Sequence, residues 1–503
     1  MKARKAAGGL GLMAAIAVSL SVTAPVALAD DSGPGTSSGA ELRDDFNGDG
    51  YADVVVAAPD GTVDDQAQAG YVAVMYGSAD GLLTTSKQVF DQGTPGIPGD
   101  VEAKDAFGSS VTTADLDRDG YADLIVGASG EDTVAGDDTG SLAVIWGGEQ
   151  GLGEATTLLN GDQAHLAVGA HVVAGDFDGD GATDVASSQQ GGGLSVLSGP
   201  FDRDGNANGG ARQVSGDGTV QILDLAAGDV DGDGVTDIAG VANNTEEYDS
   251  RVVQYWHGTS EGPAEHTVVK KADGTNLEGG EYLAMGDVNG DGRSDIVVGR
   301  PVDGYDSDVD LPEAKGGMIT YLPGGSEGPD AAGATLFNQD SPGVPGSAEG
   351  TDGYGHSDGF GSGVSVGDID GDGYADVAVG VRGEGFVPGY EGKAGAGRVV
   401  TMRGTADGLT GTGARSFDQD TEGVPGVGEA GDAFGTATKL VDTDQDGRAE
   451  LVVGAPGEND GTGSVWVFRS TGSGVTPQGS FTFGPGTLGT VAAKARLGSV
   501  FNH

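Results

Sequence analysis

The chain has 503 residues, a formal net charge of -53 and no cysteine. So large an excess of acid leaves no basic face for phosphate, which excludes nucleic acid as a partner. Glycine is abundant, at 98 residues, but it follows no G-X-Y period and comes with only 18 prolines, so a collagen helix is excluded too.

The N-terminus runs from "MKARK" through the apolar "AAIAVSLSV" to "ALAD". These are the basic, apolar and small-residue regions of a secretory signal peptide, residues 1–29, with cleavage after Ala29. Residues 30–40 read as a flexible linker by composition. No later segment is long and apolar enough to span a bilayer, so the mature chain is expected to be secreted, with no membrane span. Export without cysteine means that something other than disulfides staples the loops.

From residue 41 to 503 the chain repeats itself. An acidic stretch of the form D-x-[DN]-x-D-G-x-x-[DE] occurs seven times. The first copy carries Asp45, Asn47, Asp49, Tyr51 and Asp53 at its odd positions. The second carries Asp115, Asp117, Asp119, Tyr121 and Asp123, and the third Asp176, Asp178, Asp180, Ala182 and Asp184. Next come Asp229, Asp231, Asp233, Val235 and Asp237, then Asp287, Asn289, Asp291, Arg293 and Asp295. The sixth has Asp368, Asp370, Asp372, Tyr374 and Asp376, and the seventh Asp442, Asp444, Asp446, Arg448 and Glu450.

Carboxylates packed this tightly repel one another unless a cation sits between them. Oxygens at positions 1, 3, 5 and 9, with the backbone carbonyl at 7, can surround one hard ion. Glycine at position 6, as in Gly50 and Gly120, permits the sharp turn. Calcium takes about six to eight oxygens in flexible geometry, whereas magnesium demands a strict octahedron. Transition metals favour His or Cys, of which the chain has 6 and none. An EF-hand needs Glu at position 12 between helices, but Val56, Val126 and Val379 stand there and the flanks read as strands. The pattern predicts calcium in hairpin loops, up to seven ions.

Each acidic copy is followed by a β-branched and aromatic run such as "GYVAVMYG" or "GSVWVFRS". A third element is clearest as "QVFDQGTPGIPG", and a fourth, such as "AFGSSV", precedes the acidic loop. About four short strands per unit make one propeller blade, so the chain predicts an all-β, seven-bladed β-propeller. The first acidic loop has no "FG" strand before it, and "ARLGSVF" at 495–501 matches the missing piece. The C-terminal strand is therefore expected to complete the first blade and close the ring.

Phe107-Gly108, Phe360-Gly361 and Phe434-Gly435 before the loops, and Ala58-Pro59 and Gly454-Ala455-Pro456 after them, resemble the FG-GAP repeats of the integrin α-chain N-terminal propeller. The resemblance covers nearly all of residues 41–503 and implies a seven-bladed propeller with calcium between the first two strands of a blade, here as a secreted protein of bacterial type. The integrin leg domains, span and tail have no counterpart, so the signalling role is not carried over.

G-x-S-x-G, the pattern of a hydrolase elbow, occurs four times, but at strand turns or in the linker. At "GHSDG", His356, Ser357 and Asp358 are neighbours in sequence, which is not triad geometry. No catalytic residue is assigned. His165, His171, His257 and His266 sit singly and read as ordinary strand or loop residues, and Trp146, Trp256 and Trp466 as blade packing at equivalent strand positions. The expected function is a monomeric, calcium-binding extracellular scaffold for ligand binding or adhesion, its partner a protein, polysaccharide or cell surface. The alternatives are a secreted hydrolase, esterase or phospholipase-like, since such propellers accompany glycan-anchor phospholipases, and a purely structural wall protein.

Overall fold

Val54–Ala58 shows how the strands are made. Its residues alternate between two cores: Val54, Val56 and Ala58 pack with Val452, Val465 and Val467 on one side, and Val55 and Ala57 with Leu124 and Val126 on the other. A strand buried on both faces has no polar alternation, which is why these runs are continuously apolar. It pairs antiparallel with Tyr71–Met75, which pairs in turn with Lys87–Phe90.

The computed structural model describes residues 44–214, 221–243, 251–304, 311–351, 357–385 and 393–502. The expected signal peptide and linker lie outside the described residues. Seven four-stranded antiparallel sheets follow one another, and the protein is an all-β, seven-bladed propeller. The first two strands are Phe107–Ala114 and Asp123–Ala128 in blade 2, Val172–Gly175 and Asp184–Ser188 in blade 3, and Ile222–Gly228 and Asp237–Asn243 in blade 4. They are Tyr282–Gly286 and Asp295–Arg300 in blade 5, Phe360–Gly367 and Asp376–Val381 in blade 6, and Ala437–Val441 and Glu450–Ala455 in blade 7. The first strands surround the axis, where a cavity of about 140 Å³ is lined by Thr112, Ala174, Ala227, Met285, Ser365, Lys439 and Asn502.

Ring closure is as expected. Val500–Phe501 is the innermost strand of blade 1, with Val56 opposite Phe501 and Ala57 opposite Val500. Side chains lock the seam: Val55 N–H donates to Asn502 Oδ1 at 3.2 Å, Asn502 Nδ2 donates to Asp44 Oδ1 at 2.7 Å, and Lys439 Nζ lies 2.9 Å from Asp44 Oδ2.

The FG and GAP glycines meet between blades. A Cβ on Gly454 would overlap the carbonyl oxygen of Gly498, and one on Gly380 that of Gly435. Gly435 and Gly498 hold φ of 90° and 87°, where a side chain is strained. Phe434 bridges Gly397 of the preceding blade, and Leu497 bridges Gly463 in the same way. Leu497 thus fills the aromatic slot, as does Val168 ahead of blade 3, which bridges Gly140 of blade 2.

The tryptophans depart from expectation. Trp256 ends its strand opposite Ile238, Trp466 lies mid-strand opposite Val453, and Trp146 follows Ile145, so the three are not equivalent. All three are fully buried, which leaves no face for stacking a sugar.

Candidate metal centres

Each acidic loop joins the first and second strands of a blade, blade 1 drawing its first strand from the C-terminus. The position-1 carboxylate folds the loop around itself. Asp45 Oδ2 accepts the N–H of Gly50 at 2.8 Å and its Oδ1 that of Gly48 at 2.7 Å; Asp176 Oδ2 accepts from Gly181 at 2.8 Å and Asp287 Oδ2 from Gly292 at 2.9 Å. Position 5 accepts from the backbone of position 7, as Asp49 Oδ1 does from Tyr51 N–H at 3.1 Å. The position-7 side chain turns to the neighbour: a Cβ on Gly48 would strike the Tyr121 ring, and one on Gly290 the Tyr374 ring.

Position 9 is the buried anchor. Asp123 Oδ2 accepts Leu116 N–H at 2.9 Å and its Oδ1 accepts Gly147 N–H at 2.8 Å, tying the loop to the end of the third strand. Asp237 repeats this with Val230 and Gly258, and Asp295 with Val288 and Gly324. Glu450, one methylene longer, instead takes both the N–H and the hydroxyl of Thr443 on Oε2, at 3.0 and 2.9 Å. Burial, with acidic neighbours adding to it, pushes Asp53 up to about 8, Asp123, Asp376 and Glu450 to about 7, and Asp184 and Asp295 to about 6.

Positions 1, 3 and 9 converge. Oxygens of Asp115, Asp117 and Asp123 lie within 4.8 Å of one another, as do those of Asp176, Asp178 and Asp184, of Asp229, Asp231 and Asp237, and of Asp368, Asp370 and Asp376. Asp370 Oδ1 and Asp444 Oδ1 are buried with no hydrogen-bond partner among the described residues. An all-oxygen, anionic donor set with orphaned carboxylate oxygens fits a hard cation.

The cages differ in what faces them. One register position at the end of the third strand, its last residue in blades 6 and 7 and the next residue in the others, is held by Tyr76, Trp146, Ser198, His257, Pro323, Arg403 and Arg469. His257 Nδ1 lies 3.3 Å from Asp231 Oδ2 and 3.2 Å from Asp237 Oδ1, so it belongs to the blade 4 cage rather than to an ordinary loop. Arg403 Nη1 bonds Asp370 and lies 3.2 Å from Asp376 Oδ2, and Arg469 Nη1 lies 3.9 Å from Asp444 Oδ2. In blade 2 the cation comes from the next blade, where Arg203 Nε and Nη2 each lie 2.6 Å from Asp117 and Asp119. Sequence reasoning missed these residues because none falls within the nine-residue motif. Only the shared place before the closing glycine, as in "MYG", "WHG" and "MRG", marked them.

The loops are also joined round the ring. Ala122 N–H donates to Asp45 O at 2.9 Å, Thr236 to Asp176 at 2.8 Å, Ser294 to Asp229 at 2.7 Å, Ala375 to Asp287 at 3.0 Å, and Ala449 to Asp368 at 2.6 Å. At these five junctions position 8 of one loop thus holds position 1 of the loop before it. Of the remaining candidates, His165 Nδ1 is 3.1 Å from Asp138 on the surface. Ser357 Oγ donates to Asp303 Oδ1 at 3.2 Å in a loop that leads into a strand, and His356 lies outside the described residues.

The FG-GAP repeat family matches residues 43–75, 107–145, 360–402 and 434–468, and the FG-GAP-like repeat matches 229–298. The chain is 35% identical over 192 residues to integrin alpha-IIb of Homo sapiens and 35% identical over 237 residues to integrin alpha-PS2 of Drosophila melanogaster. The chain is an integrin-alpha-like FG-GAP protein. These alignments take in 38% and 44% of this FG-GAP chain but only 16% and 15% of the two integrins. The phosphatidylinositol-glycan-specific phospholipase D of Rattus norvegicus is 31% identical over 146 residues, 29% of this chain and 17% of that protein. The similarity of the FG-GAP chain therefore spans less than a fifth of the length of each of these three relatives. No helix among its described residues is long and apolar enough to cross a membrane.

Proposed function

We propose that the protein is a secreted, calcium-binding propeller that serves as an extracellular scaffold for ligand binding or adhesion. The observation that carries this is the convergence of three carboxylates per loop in blade after blade, in a ring with no disulfide to staple it. Calcium at Asp115, Asp117 and Asp123, and at their counterparts, neutralises that charge and fixes the hairpin. Similarity to integrin alpha-chains supports presentation of a ligand outside the cell. In this reading the partner is a protein, polysaccharide or cell surface, and the working unit is a monomer. Glycan-array and pull-down assays with the mature protein in calcium test it. Binding that disappears with EDTA and returns with calcium supports the proposal, whereas the absence of calcium binding by calorimetry removes its basis.

Similarity to the phosphatidylinositol-glycan-specific phospholipase D favours a second reading, hydrolysis of an ester or phosphodiester. Turnover of such substrates that is lost on Ser357→Ala would put this reading first.

A further inference from the structure

At the rim opposite the acidic loops, three blade junctions repeat one polar cluster. A glutamine follows the outer strand of one blade, and an aspartate precedes the first strand of the next. A glutamate follows that blade's second strand. The sets are Gln92, Asp105 and Glu131; Gln339, Asp358 and Glu384; and Gln419, Asp432 and Glu458. In each, the glutamine Nε2 donates to the glutamate Oε2: Gln92 to Glu131, Gln339 to Glu384 at 2.7 Å, and Gln419 to Glu458 at 2.6 Å. The aspartate Oδ2 accepts a backbone N–H, from Glu102 at 2.7 Å, Glu349 at 2.5 Å and Glu429 at 2.7 Å.

Two features point to a ligand. The glutamines are only 7%, 2% and 2% exposed, and all three Oε1 atoms are buried without a hydrogen-bond partner among the described residues. An orphaned buried acceptor costs about 1–3 kcal/mol, so each of these oxygens is open to a donor or a cation, and the charge beside it decides whether a cation is called for. The second feature is a built-in comparison. At the blade 5–6 junction Arg398 Nη1 lies 3.6 Å from Glu384 Oε1, and Arg398 stands opposite Val381, the last residue of its strand. The same register places Ser141 opposite Ala128 and Ser464 opposite Ala455. Where blade 6 carries a guanidinium, blades 2 and 7 carry a hydroxyl.

We propose that the two junctions with serine, between blades 1 and 2 and between blades 7 and 6, each bind a divalent cation of calcium type. The ligands are the Asp105–Glu131 or Asp432–Glu458 carboxylates and the free amide oxygen of Gln92 or Gln419. Hard oxygen donors of this kind select calcium over softer metals. Burial, with its acidic neighbours, pushes Glu131 up to about 7 and Asp105 to about 6, and burial with Asp432 pushes Glu458 up to about 7. Burial therefore disfavours two charges in either pair, and a cation between the carboxylates would offset that cost. These sites are independent of the acidic loops and of the scaffold function.

Anomalous diffraction from crystals grown in calcium tests the proposal, together with native mass spectrometry of the full chain. Anomalous peaks are expected beside Glu131 and Glu458 and not beside Glu384. Glu131→Gln and Glu458→Gln should each lower the bound calcium count by one, and Glu384→Gln should leave it unchanged. Ser141→Arg and Ser464→Arg, which supply the missing guanidinium without removing an acid, should expel the ion and keep the fold. Peaks confined to the acidic loops, or counts unaltered by all four variants at the two junctions, would overturn the proposal. Failure of the acidic-loop sites would show separately, as missing peaks at Asp115 and its counterparts.

Discussion

The Arg203 guanidinium is seated on Asp117, Nε to Oδ2 at 2.6 Å, so a side chain from blade 3 caps the acidic loop of blade 2. A calcium ion entering that cage competes with a cation already in place. A hydrogen bond to a charged group is worth about 1.5–3 kcal/mol, less where solvent reaches it, as here. Arg203→Ala is therefore expected to tighten calcium at blade 2 by roughly tenfold, read by calorimetric titration. Arg403→Ala should do the same at blade 6. Unchanged affinity in both variants would mean that the arginines swing clear when the ion binds.

On the proposed function, calcium competes with protons for the same buried acids. In the metal-free protein Asp53 has moved from 3.8 to about 8. Across that window the folded chain binds more protons than the unfolded chain, so stability is highest on the acid side and falls as pH rises. Asp123, Asp376 and Glu450, at about 7, act in the same direction. Thermal melts in EDTA should show a higher Tm at pH 5 than at pH 8. Added calcium should raise Tm at both, and more at pH 8, because the ion binds the deprotonated form. An EDTA melt that matches the calcium melt at pH 8 would refute metal binding in the loops.

The seam rests on a buried ion pair. Lys439 Nζ sits 2.9 Å from Asp44 Oδ2, and also donates to Asn502 O at 3.2 Å. Removing one partner of a buried pair costs about 3–5 kcal/mol, because the other is left as an uncompensated charge. Lys439→Met should lose stability on this scale in urea unfolding, whereas replacing Lys439 and Asp44 together should recover much of it.

Close approach of glycines binds blade to blade. A Cβ on Gly454 overlaps the Gly498 carbonyl oxygen, just ahead of the closing strand. Gly454→Ala should therefore destabilise by about 1–3 kcal/mol or more and raise protease sensitivity at the C-terminus. A neutral effect in guanidinium unfolding would show that the seam can shift to accept a methyl group.

Much of this architecture is legible in the sequence because its signals are local. Nine residues such as Asp115 to Asp123 contain their own turn, and the strand that follows is a short apolar run. Leu497 could be matched to the aromatic slot because the blade it completes visibly lacked one. Arg203, Arg403 and His257 were not legible as part of a cage, since they reach it only through the register of the third strand or from another blade. The tryptophans misled for the same reason: a shift of one or two residues in register is invisible without the partner strand. The Gln92, Asp105 and Glu131 cluster is assembled from two blades, and its members are too far apart in the chain to read as one motif.

Each acidic loop can organise within a few residues of chain, but the contact between Val55 and Asn502 must wait for nearly the whole of it. Contacts of such sequence separation form late, after local hairpins are in place. Until then the blades form an arc with bare sheet edges at both ends. The seam therefore covers what would otherwise be the bare inner edge of Val54–Ala58, and truncation before Val500 is expected to leave that edge open to proteases and to other strands.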